Sequence, residues 1–261
     1  MSLFAPLNPP LPAWPDARVW VIGASTGIGA ATATMLLAAG ARVALSARSA
    51  DKLREIADGH AKALVEPLDF TRSAEVVAAW DRIRAQWGGV DLVLIVAGTH
   101  QEVRAWELTE KDSRALLEVN LHAVINTTAA VVPGLLAQGR GAIGIVASVA
   151  GYRGLPKALV YGASKAAVIN FTETLYLDLH PKGLGVYLIM PGFVETPLTA
   201  SNDFKMPHLI PATEAAREIV EGLRAGDFEI HFPRAFTRQL KLLRLLPYRW
   251  YFALIRRATG L

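Results

Sequence analysis

Short apolar runs alternate along the chain with longer segments in which apolar residues recur at helical spacing. The short runs are rich in Val, Ile and Leu and hold few polar positions, which is typical of strands buried on both faces of a sheet. Seven such runs are predicted to be strands, at residues 18–23, 42–47, 62–69, 91–98, 141–148, 185–191 and 227–233. The alternation predicts a parallel sheet covered by helices.

Segments of helical spacing follow the predicted strands. They start near Gly27, Asp51, Ser73, Glu110, Leu159 and Pro211. Gly40, Gly88 and Gly139 lie where helices commonly end. With right-handed crossovers, this order gives an α/β fold: a doubly wound, Rossmann-type sheet of about seven strands with helices on both faces. Because such sheets bind ligands beyond the carboxyl ends of their strands, functional residues are expected directly after strands.

Composition narrows the class of protein. The chain has 261 residues, of which 52% are apolar and 19% charged, so it can bury one substantial core but hardly a second. We expect one domain over residues 1–233 and a helical extension over residues 234–261. The sequence has no cysteine, which excludes disulfides and thiolate metal ligands, and no metal site is predicted.

The location of the protein is predicted from the same features. The proline-rich N-terminal segment lacks the basic start and unbroken apolar core of a secretory signal. No apolar run is expected to be long enough to cross a membrane. The lack of cysteine fits a reducing compartment, and we therefore expect a cytoplasmic protein.

The segment "GASTGIG" lies between the first predicted strand and the first predicted helix. Gly23, Gly27 and Gly29 allow a sharp turn, close approach to the backbone amides and close packing of the helix. The amino end of that helix favours an anion through its dipole and free amides. The segment predicts a dinucleotide phosphate site, although a tight turn without a ligand would use the same glycines.

The end of the second predicted strand bears on the choice of dinucleotide. An acidic residue there would accept hydrogen bonds from a ribose 2′-hydroxyl, but this chain has Ala47 and Arg48. A guanidinium suits a 2′-phosphate, which favours NADP(H) over NAD(H). The alternative is an ordinary surface arginine, because the glycine loop holds no second basic residue.

"YGASK" supplies a candidate acid and base. Tyr161 and Lys165 are four residues apart and share one face of a predicted helix, where an ammonium can favour the phenolate. Ser148 lies thirteen residues before Tyr161, at the end of the fifth predicted strand, where its hydroxyl can donate to a substrate carbonyl. The Tyr–Lys spacing is too short to be specific by itself, and such a pair can also be an ordinary feature of a helix surface; with Ser148 it becomes a candidate acid/base site.

Five segments in this order, "GASTGIG", "LEVNLHAV", "IVASVAG", "YGASK" and "PGFVETP", resemble the short-chain dehydrogenase/reductase family over roughly residues 17–199. The resemblance implies a nicotinamide-dependent oxidoreductase whose catalytic residues are Asn120, Ser148, Tyr161 and Lys165. It implies that the cofactor contacts Gly23, Ser25, Thr26, Gly27, Ile28, Gly29, Arg48, Asp69, Phe70, Ala97, Gly98, Asn120, Tyr161, Lys165, Pro191, Gly192, Val194 and Thr196.

Several of these residues have an alternative structural role. The Asn120 amide can bridge neighbouring backbone segments. Asp69 can cap the helix predicted from Ser73, and Ser148 can stabilise a turn. The segment 191–197 can be a loop whose prolines and glycine serve only its conformation.

The chain departs from the family pattern at two places. Ile22 stands where the glycine motif usually opens with threonine, and Ile95 and Val96 replace two asparagines after the fourth strand. Hydrogen bonds that brace this edge of the sheet are expected to be missing, with a modest loss of stability or cofactor affinity. Ala97 and Gly98 remain small enough to admit a cofactor.

The predicted reaction is NADPH-dependent reduction of an apolar or lipid-like ketone or 3-oxoacyl compound. A variable lid over about residues 197–212 is expected to cover the substrate, and its apolar members are Leu198, Phe204, Met206, Leu209 and Ile210. The resemblance also implies a homodimer or homotetramer. A catalytically silent NADP(H)-binding sensor or scaffold is the alternative.

The extension over residues 234–261 differs in charge from the rest of the chain. It carries seven basic residues and no acidic one, whereas the first 233 residues carry 20 basic and 23 acidic ones. Arg238, Lys241 and Arg244 recur beside leucines, which predicts a basic amphipathic helix that breaks at Pro247.

A second short helix with Trp250, Tyr251 and Phe252 is expected after that break. Two interpretations stay open for the extension: attachment to an anionic membrane surface, or docking on the body or on a twin subunit. Nucleic acid is not favoured, because the aromatic and leucine side chains exceed what phosphate contacts require.

Overall fold

The computed structural model describes residues 5–200, 202, 204 and 206–260. Seven of its strands form one sheet in the order β3-β2-β1-β4-β5-β6-β9, and β7 and β8 form a separate pair. The strands are β1 (Arg18–Ile22), β2 (Arg42–Ser46), β3 (Ala63–Val65), β4 (Leu92–Ile95), β5 (Ala142–Val146), β6 (Gly185–Pro191), β7 (Val194–Glu195), β8 (Ile210–Pro211) and β9 (Glu229–Phe232). All pairings are parallel.

Helices cover both faces of the sheet. They are α1 (Gly27–Ala38), α2 (Ala50–Ala57), α3 (Ser73–Trp87), α4 (Glu110–Leu117), α5 (Ala123–Gln138), α6 (Leu159–Leu179), α7 (Ala212–Ala225), α8 (Arg234–Arg244) and α9 (Tyr248–Thr259). The predicted doubly wound α/β fold is confirmed, including the helical break at Pro247, which is the N-cap of α9. The strand order reverses between β1 and β4, so the carboxyl ends of these strands border a crevice.

Element bounds agree best where the apolar run is unbroken. β6 coincides with the predicted run at 185–191, whereas β3 keeps only three residues of the run predicted at 62–69. Hydrogen bonds from the amides of Glu66 and Leu68 to the carbonyls of Leu45 and Ala47 continue past the end of β3, so Pro67 lies where its missing N–H removes no bond to β2. The β7–β8 pair was not predicted, because two residues per strand carry no readable periodicity.

Residues 110–138 correct an expectation about membrane spans. α4, a π-helical turn at Glu118–His122 and α5 form one helical run that is long and apolar enough, by length and composition alone, to cross a membrane. Val131 and Leu135 of this run are buried in the same core cluster as Trp80 of α3. These residues of the run therefore pack in the core between the sheet and α3.

Several polar side chains in and beside the sheet form hydrogen bonds with one another or with the backbone. The Trp20 indole donates to the Ser46 hydroxyl at 2.9 Å, and that hydroxyl donates to the Glu66 carbonyl at 2.7 Å. Arg18 donates to both carboxylate oxygens of Asp91, at 2.8 and 2.7 Å. These bonds tie β1 to the chain around β2, β3 and β4, because a buried polar group without a partner is costly.

Candidate cofactor and catalytic site

A cavity of about 930 Å³ opens along the carboxyl ends of the central strands. Every residue predicted to contact the cofactor lines it except Asn120. Ser148, Tyr161 and Lys165 also lie in its wall. The cavity therefore lies where residues directly after several strands meet, and it brings together segments separated by more than a hundred residues.

The glycine loop leaves no space for side chains at two positions. Gly23 has φ +94°, and a Cβ there would lie 2.5 Å from the Ala97 amide nitrogen. A Cβ on Gly29 would lie 2.1 Å from the Gly23 carbonyl oxygen. α1 begins at Gly27, so its first amides face the cavity wall that Ser25 and Thr26 share. This cradle fits an anionic phosphate group.

Main-chain hydrogen bonds brace the sheet edge at the residues that depart from the family pattern. The amides of Val96 and Ala97 both donate to the Ile22 carbonyl at 2.9 Å. The side chains of Ile22 and Ile95 are buried in the core. These backbone hydrogen bonds do not depend on the replaced side chains, and the expected modest loss of stability or cofactor affinity stays a prediction.

The wall beyond β2 carries two cations near one carboxylate. Arg48 and Lys52 are exposed and line the cavity together with Asp69. Hydrogen bonds from the Thr71 hydroxyl and amide, at 2.7 and 3.0 Å, hold the pKa of Asp69 below its usual value, and Arg48 and Arg72 lower that pKa further. Lys52 was missed by the sequence analysis, although it follows Arg48 by four residues at the start of a predicted helix.

The other part of the wall holds the candidate acid and base. Ser148 ends the segment after β5, where its hydroxyl accepts from the Ala150 amide at 3.2 Å and caps a short turn. The Tyr161 hydroxyl is hydrogen-bonded to the Ser148 side chain. The Lys165 ammonium donates to the Val146 carbonyl at 3.0 Å and lies 5.9 Å from the centre of the Tyr161 ring. The turn role of Ser148 and its contact with Tyr161 therefore coexist.

Burial sets the protonation of this pair. Loss of water raises the pKa of Tyr161, and the Ser148 hydrogen bond only partly opposes this rise. Loss of water also lowers the pKa of Lys165 from 10.5 to about 8. The expectation that Lys165 brings the tyrosine pKa down is thus not met in this structure, where desolvation is the larger effect. Tyr161 is held as a neutral phenol near neutral pH.

Asn120 lies behind the cavity wall and connects two segments that border the site. It lies fully buried in the π-helical turn, where its amide donates to the Thr99 carbonyl and accepts from the Thr99 amide, at 2.9 and 2.8 Å. It also donates to the Ser164 hydroxyl at 3.2 Å. Its amide thus ties the loop after β4 to α6 one residue before Lys165, which is the bridging role considered for it.

His100 is a cavity residue that the sequence analysis missed. Its ring packs edge-on against the Tyr161 ring with centroids 4.6 Å apart. Burial lowers the pKa of His100, so the imidazole is neutral at neutral pH. Its Nδ1 is buried and has no hydrogen-bond partner among the described residues. The expectation that functional residues follow strands could have pointed to His100, because this residue comes five residues after the end of β4.

Aromatic rings from two parts of the chain pack beside the cavity. Phe193 contacts Phe204 and Phe236, with ring centroids 5.7 and 5.5 Å apart, and its neighbour Gly192 lines the cavity. Leu198 is partly exposed in the cavity wall, whereas Ile210 is buried in the core. Of the predicted lid, residues 201, 203 and 205 lie outside the described part of the chain.

Known proteins share sequence with this chain over most of its length. The model of the short chain dehydrogenase family matches residues 17–206. A protein from Myxococcus xanthus described as an uncharacterized oxidoreductase is 34% identical over 241 residues, which cover 91% of this chain and 95% of that protein.

Two solved structures are similar in fold. A short-chain dehydrogenase from Streptomyces avermitilis superimposes with a TM-score of 0.79 at 22% identity, over 94% of this chain and 98% of the other. A variant of actinorhodin polyketide ketoreductase, solved with NADPH, gives a TM-score of 0.74 at 26% identity, over 84% of this chain and 96% of the other.

Proposed function

Because this chain belongs to the short-chain dehydrogenase family and is an NAD(P)-dependent oxidoreductase, we propose that it reduces the carbonyl of an apolar compound with NADPH. The observation that carries the proposal is the buried contact of Tyr161 with Ser148, with Lys165 beside them, in one cavity with the glycine loop. The class of compound is an apolar or lipid-like ketone or a 3-oxoacyl derivative.

The residues present fit a dinucleotide. The cradle at Gly23 and Gly29 is closed to side chains and faces the amino end of α1, which suits a pyrophosphate. Asp69 and Phe70 would hold the adenine end, and the segment from Pro191 to Thr196 the nicotinamide end. A nicotinamide bound there supplies the hydride for reduction.

Tyr161 supplies the proton in this proposal. Its raised pKa keeps the phenol protonated at neutral pH, which is the form needed to protonate the oxygen of a carbonyl under reduction. Ser148 would donate a hydrogen bond to the same oxygen and stabilise its developing negative charge. The hydrogen bond between the two side chains holds both hydroxyls at one point of the wall.

Lys165 supplies positive charge close to the phenol. With a pKa of about 8 it is largely an ammonium at neutral pH, so it favours the phenolate that remains after proton transfer. It would also bind the nicotinamide ribose. Asn120 acts as a positioning residue, since its amide fixes Thr99 and Ser164 on either side of this lysine. A role for Asn120 in holding a proton-relay water stays a prediction.

NADP(H) is favoured over NAD(H) by the charge beyond β2. Arg48 and Lys52 lie in the cavity wall there, and two cations suit a 2′-phosphate better than a ribose hydroxyl. Lys52 supplies the second basic residue that the glycine loop lacks. The structurally similar ketoreductase was solved with NADPH, which supports the same preference for this chain.

The substrate class follows from the rim beside the nicotinamide end. Phe193, Phe204 and Phe236 form a cluster of rings there, and Leu198 lines the cavity. Such a wall favours an apolar substrate body with its carbonyl aimed at Tyr161. An assembly of two or four copies and a cytoplasmic location stay predictions.

A carbonyl panel tests the proposal. The protein is mixed with ketones, 3-oxoacyl thioesters, steroids and sugar-like carbonyls, and the loss of reduced-nicotinamide absorbance is followed with NADPH and with NADH. Turnover of an apolar carbonyl with NADPH is expected. Tight NADPH binding without turnover across the panel would instead favour the silent sensor.

A further inference from the structure

Large apolar side chains are concentrated on the outer surface of α8, α9 and the turn between them. Leu245 is 79% exposed and Trp250 is 66% exposed. Further exposed apolar residues in this short segment are Leu242, Tyr248, Phe252 and Leu254. Single exposed apolar residues are ordinary, but six within one short segment indicate a surface that binds something. Tyr248 lies 4.6 Å from the Arg153 guanidinium and stacks on Phe252, so these two rings border the body. We call the other four residues, Leu242, Leu245, Trp250 and Leu254, the outer face of the extension.

The inner face of the extension is fastened to the body. The Arg153 guanidinium donates to the carbonyls of Leu243 and Leu246 at 2.9 and 2.7 Å, and lies 4.0 Å from the centre of the Tyr251 ring. Tyr251 is 2% exposed and donates to the Gly154 carbonyl at 2.6 Å. Docking on the body therefore accounts for the inner face only and holds the outer face in a fixed orientation.

Unpaired positive charge accompanies the exposed apolar residues. Lys241 pairs with Glu229, and Arg234 lies 3.7 Å from Glu218. Arg249, Arg256 and Arg257 are exposed and form no ion pair with any described residue. The segment offers no acidic side chain to a partner. Its charge is complementary to an anionic surface.

We propose that the outer face of the extension binds an anionic lipid bilayer. Trp250 and Leu254 are four residues apart on one side of α9 and would enter the interfacial region, while Arg256 and Arg257 pair with lipid phosphates. A symmetric contact between two copies would place this segment, which has basic but no acidic residues, against itself, so its arginines would find no acidic partner there. The lipid surface satisfies both the apolar residues and the charge.

The extension is continuous with the rim of the cavity. Phe236 of α8 packs on Phe193 and closes the space beside Gly192, which lines the cavity. Arg153 lies on the segment between Ser148 and Tyr161. Bilayer binding would thus hold the apolar rim near the lipid, which suits a lipophilic carbonyl; this last step alone rests on the proposed function.

Vesicle sedimentation of the full-length protein tests the apolar part of the surface. We expect binding to phosphatidylglycerol/phosphatidylcholine vesicles, weaker binding as salt rises, and little binding to phosphatidylcholine alone. Trp250→Ser with Leu254→Ser should weaken partition at least tenfold (about 1.4 kcal/mol per tenfold). The matched control is Trp106→Ser with Leu177→Ser, since both are exposed on the body, at 80% and 70%; it should bind as the wild type.

A charge pair of variants tests the cationic part. Arg256→Gln with Arg257→Gln should weaken partition about 30-fold, from roughly 1 kcal/mol per basic residue near an anionic surface. Arg54→Gln with Arg114→Gln changes the net charge equally at exposed sites of the body, whose side chains are 65% and 78% exposed, and should have little effect.

Three outcomes would overturn the inference. The wild type would not bind anionic vesicles at low salt, or the outer-face variants would bind as well as their controls. Alternatively, the variants would change the mass measured by light scattering without changing vesicle binding, which would make the outer face a subunit contact. None of these readouts uses turnover, so failure of the proposed reaction in a lipid-free assay would be seen separately.

Discussion

Arg48 and Lys165 contribute positive charge to different parts of one cavity wall, and they differ in how far they are exposed to water. Arg48 is exposed beyond β2, next to the exposed Lys52. Lys165 is 4% exposed, and burial brings its pKa from 10.5 to about 8. Both cations would meet anionic or polar parts of the same cofactor, but solvent screens only the Arg48 side.

This difference in exposure indicates what each side of the cavity can contribute to cofactor binding and to the reaction. On the exposed side, charges add affinity in modest increments and can be exchanged with little effect on the fold. On the buried side, loss of water shifts the pKa values themselves, raising that of Tyr161 and lowering that of Lys165. Changes on the buried side should therefore affect turnover, and changes on the exposed side should affect the choice of cofactor.

The largest effect is expected from Tyr161→Phe. The substitution removes the hydroxyl that would protonate the substrate but keeps the ring, so kcat should fall by roughly a thousandfold or more. NADPH affinity, measured by nicotinamide fluorescence, should stay within about twofold of the wild-type value, because the cradle at Gly23 and Gly29 is untouched. Carbonyl reduction at an appreciable fraction of the wild-type rate would show that another group donates the proton.

The exposed side is tested by Arg48→Ala combined with Lys52→Ala. Loss of two charge-assisted contacts to a 2′-phosphate should raise the Kd for NADPH by roughly ten- to hundredfold and leave the Kd for NADH nearly unchanged. Arg54→Ala is the matched control, because Arg54 is an exposed arginine that pairs with Asp51 and lies in α2, the helix that also holds Lys52. Equal losses for both nicotinamides would place the 2′-phosphate elsewhere.

The pH dependence of kcat/KM for NADPH tests the buried side. Lys165 is the group whose pKa lies at about 8, and its charged form predominates below that value. Because the ammonium is the form proposed to act, kcat/KM should fall up to tenfold per pH unit above about pH 8. Lys165→Arg keeps its charge, so its alkaline limb should move to higher pH even if the rate is lower. An unchanged limb in that variant would assign the titration to another group.

A smaller effect is expected from His100→Phe. The ring packing on Tyr161 at 4.6 Å can be kept, but the buried Nδ1, which has no partner among the described residues, is removed. The substitution also removes the other ring nitrogen; if that nitrogen bonds the substrate, KM for the carbonyl should rise about fivefold, the worth of one neutral hydrogen bond. NADPH affinity and kcat should change little. A fall in kcat with KM unchanged would instead show that His100 only positions Tyr161.

The pattern of apolar residues and glycines along the chain was sufficient to predict the helices and strands whose bounds depend on neighbouring residues. Strand β6 and the starts of α1, α3, α4 and α6 coincide with the predicted positions, because apolar runs and glycine stops act over a few residues. The glycine loop and the predicted catalytic residues were placed by order and spacing. Lys52 and His100 were missed, because neither belongs to a motif and only the folded chain brings them to the cavity.

The sequence by itself determined the doubly wound parallel sheet, the edge of the sheet at which the cavity forms and the charge of the C-terminal extension. Tertiary structure alone decided the direction in which the pKa values of Tyr161 and Lys165 shift, because desolvation depends on what covers a side chain and not on its neighbours along the chain. It also decided which face of the extension is fastened by Arg153 and which stays exposed. Spacing predicts that residues can meet, whereas packing sets how much water remains around them.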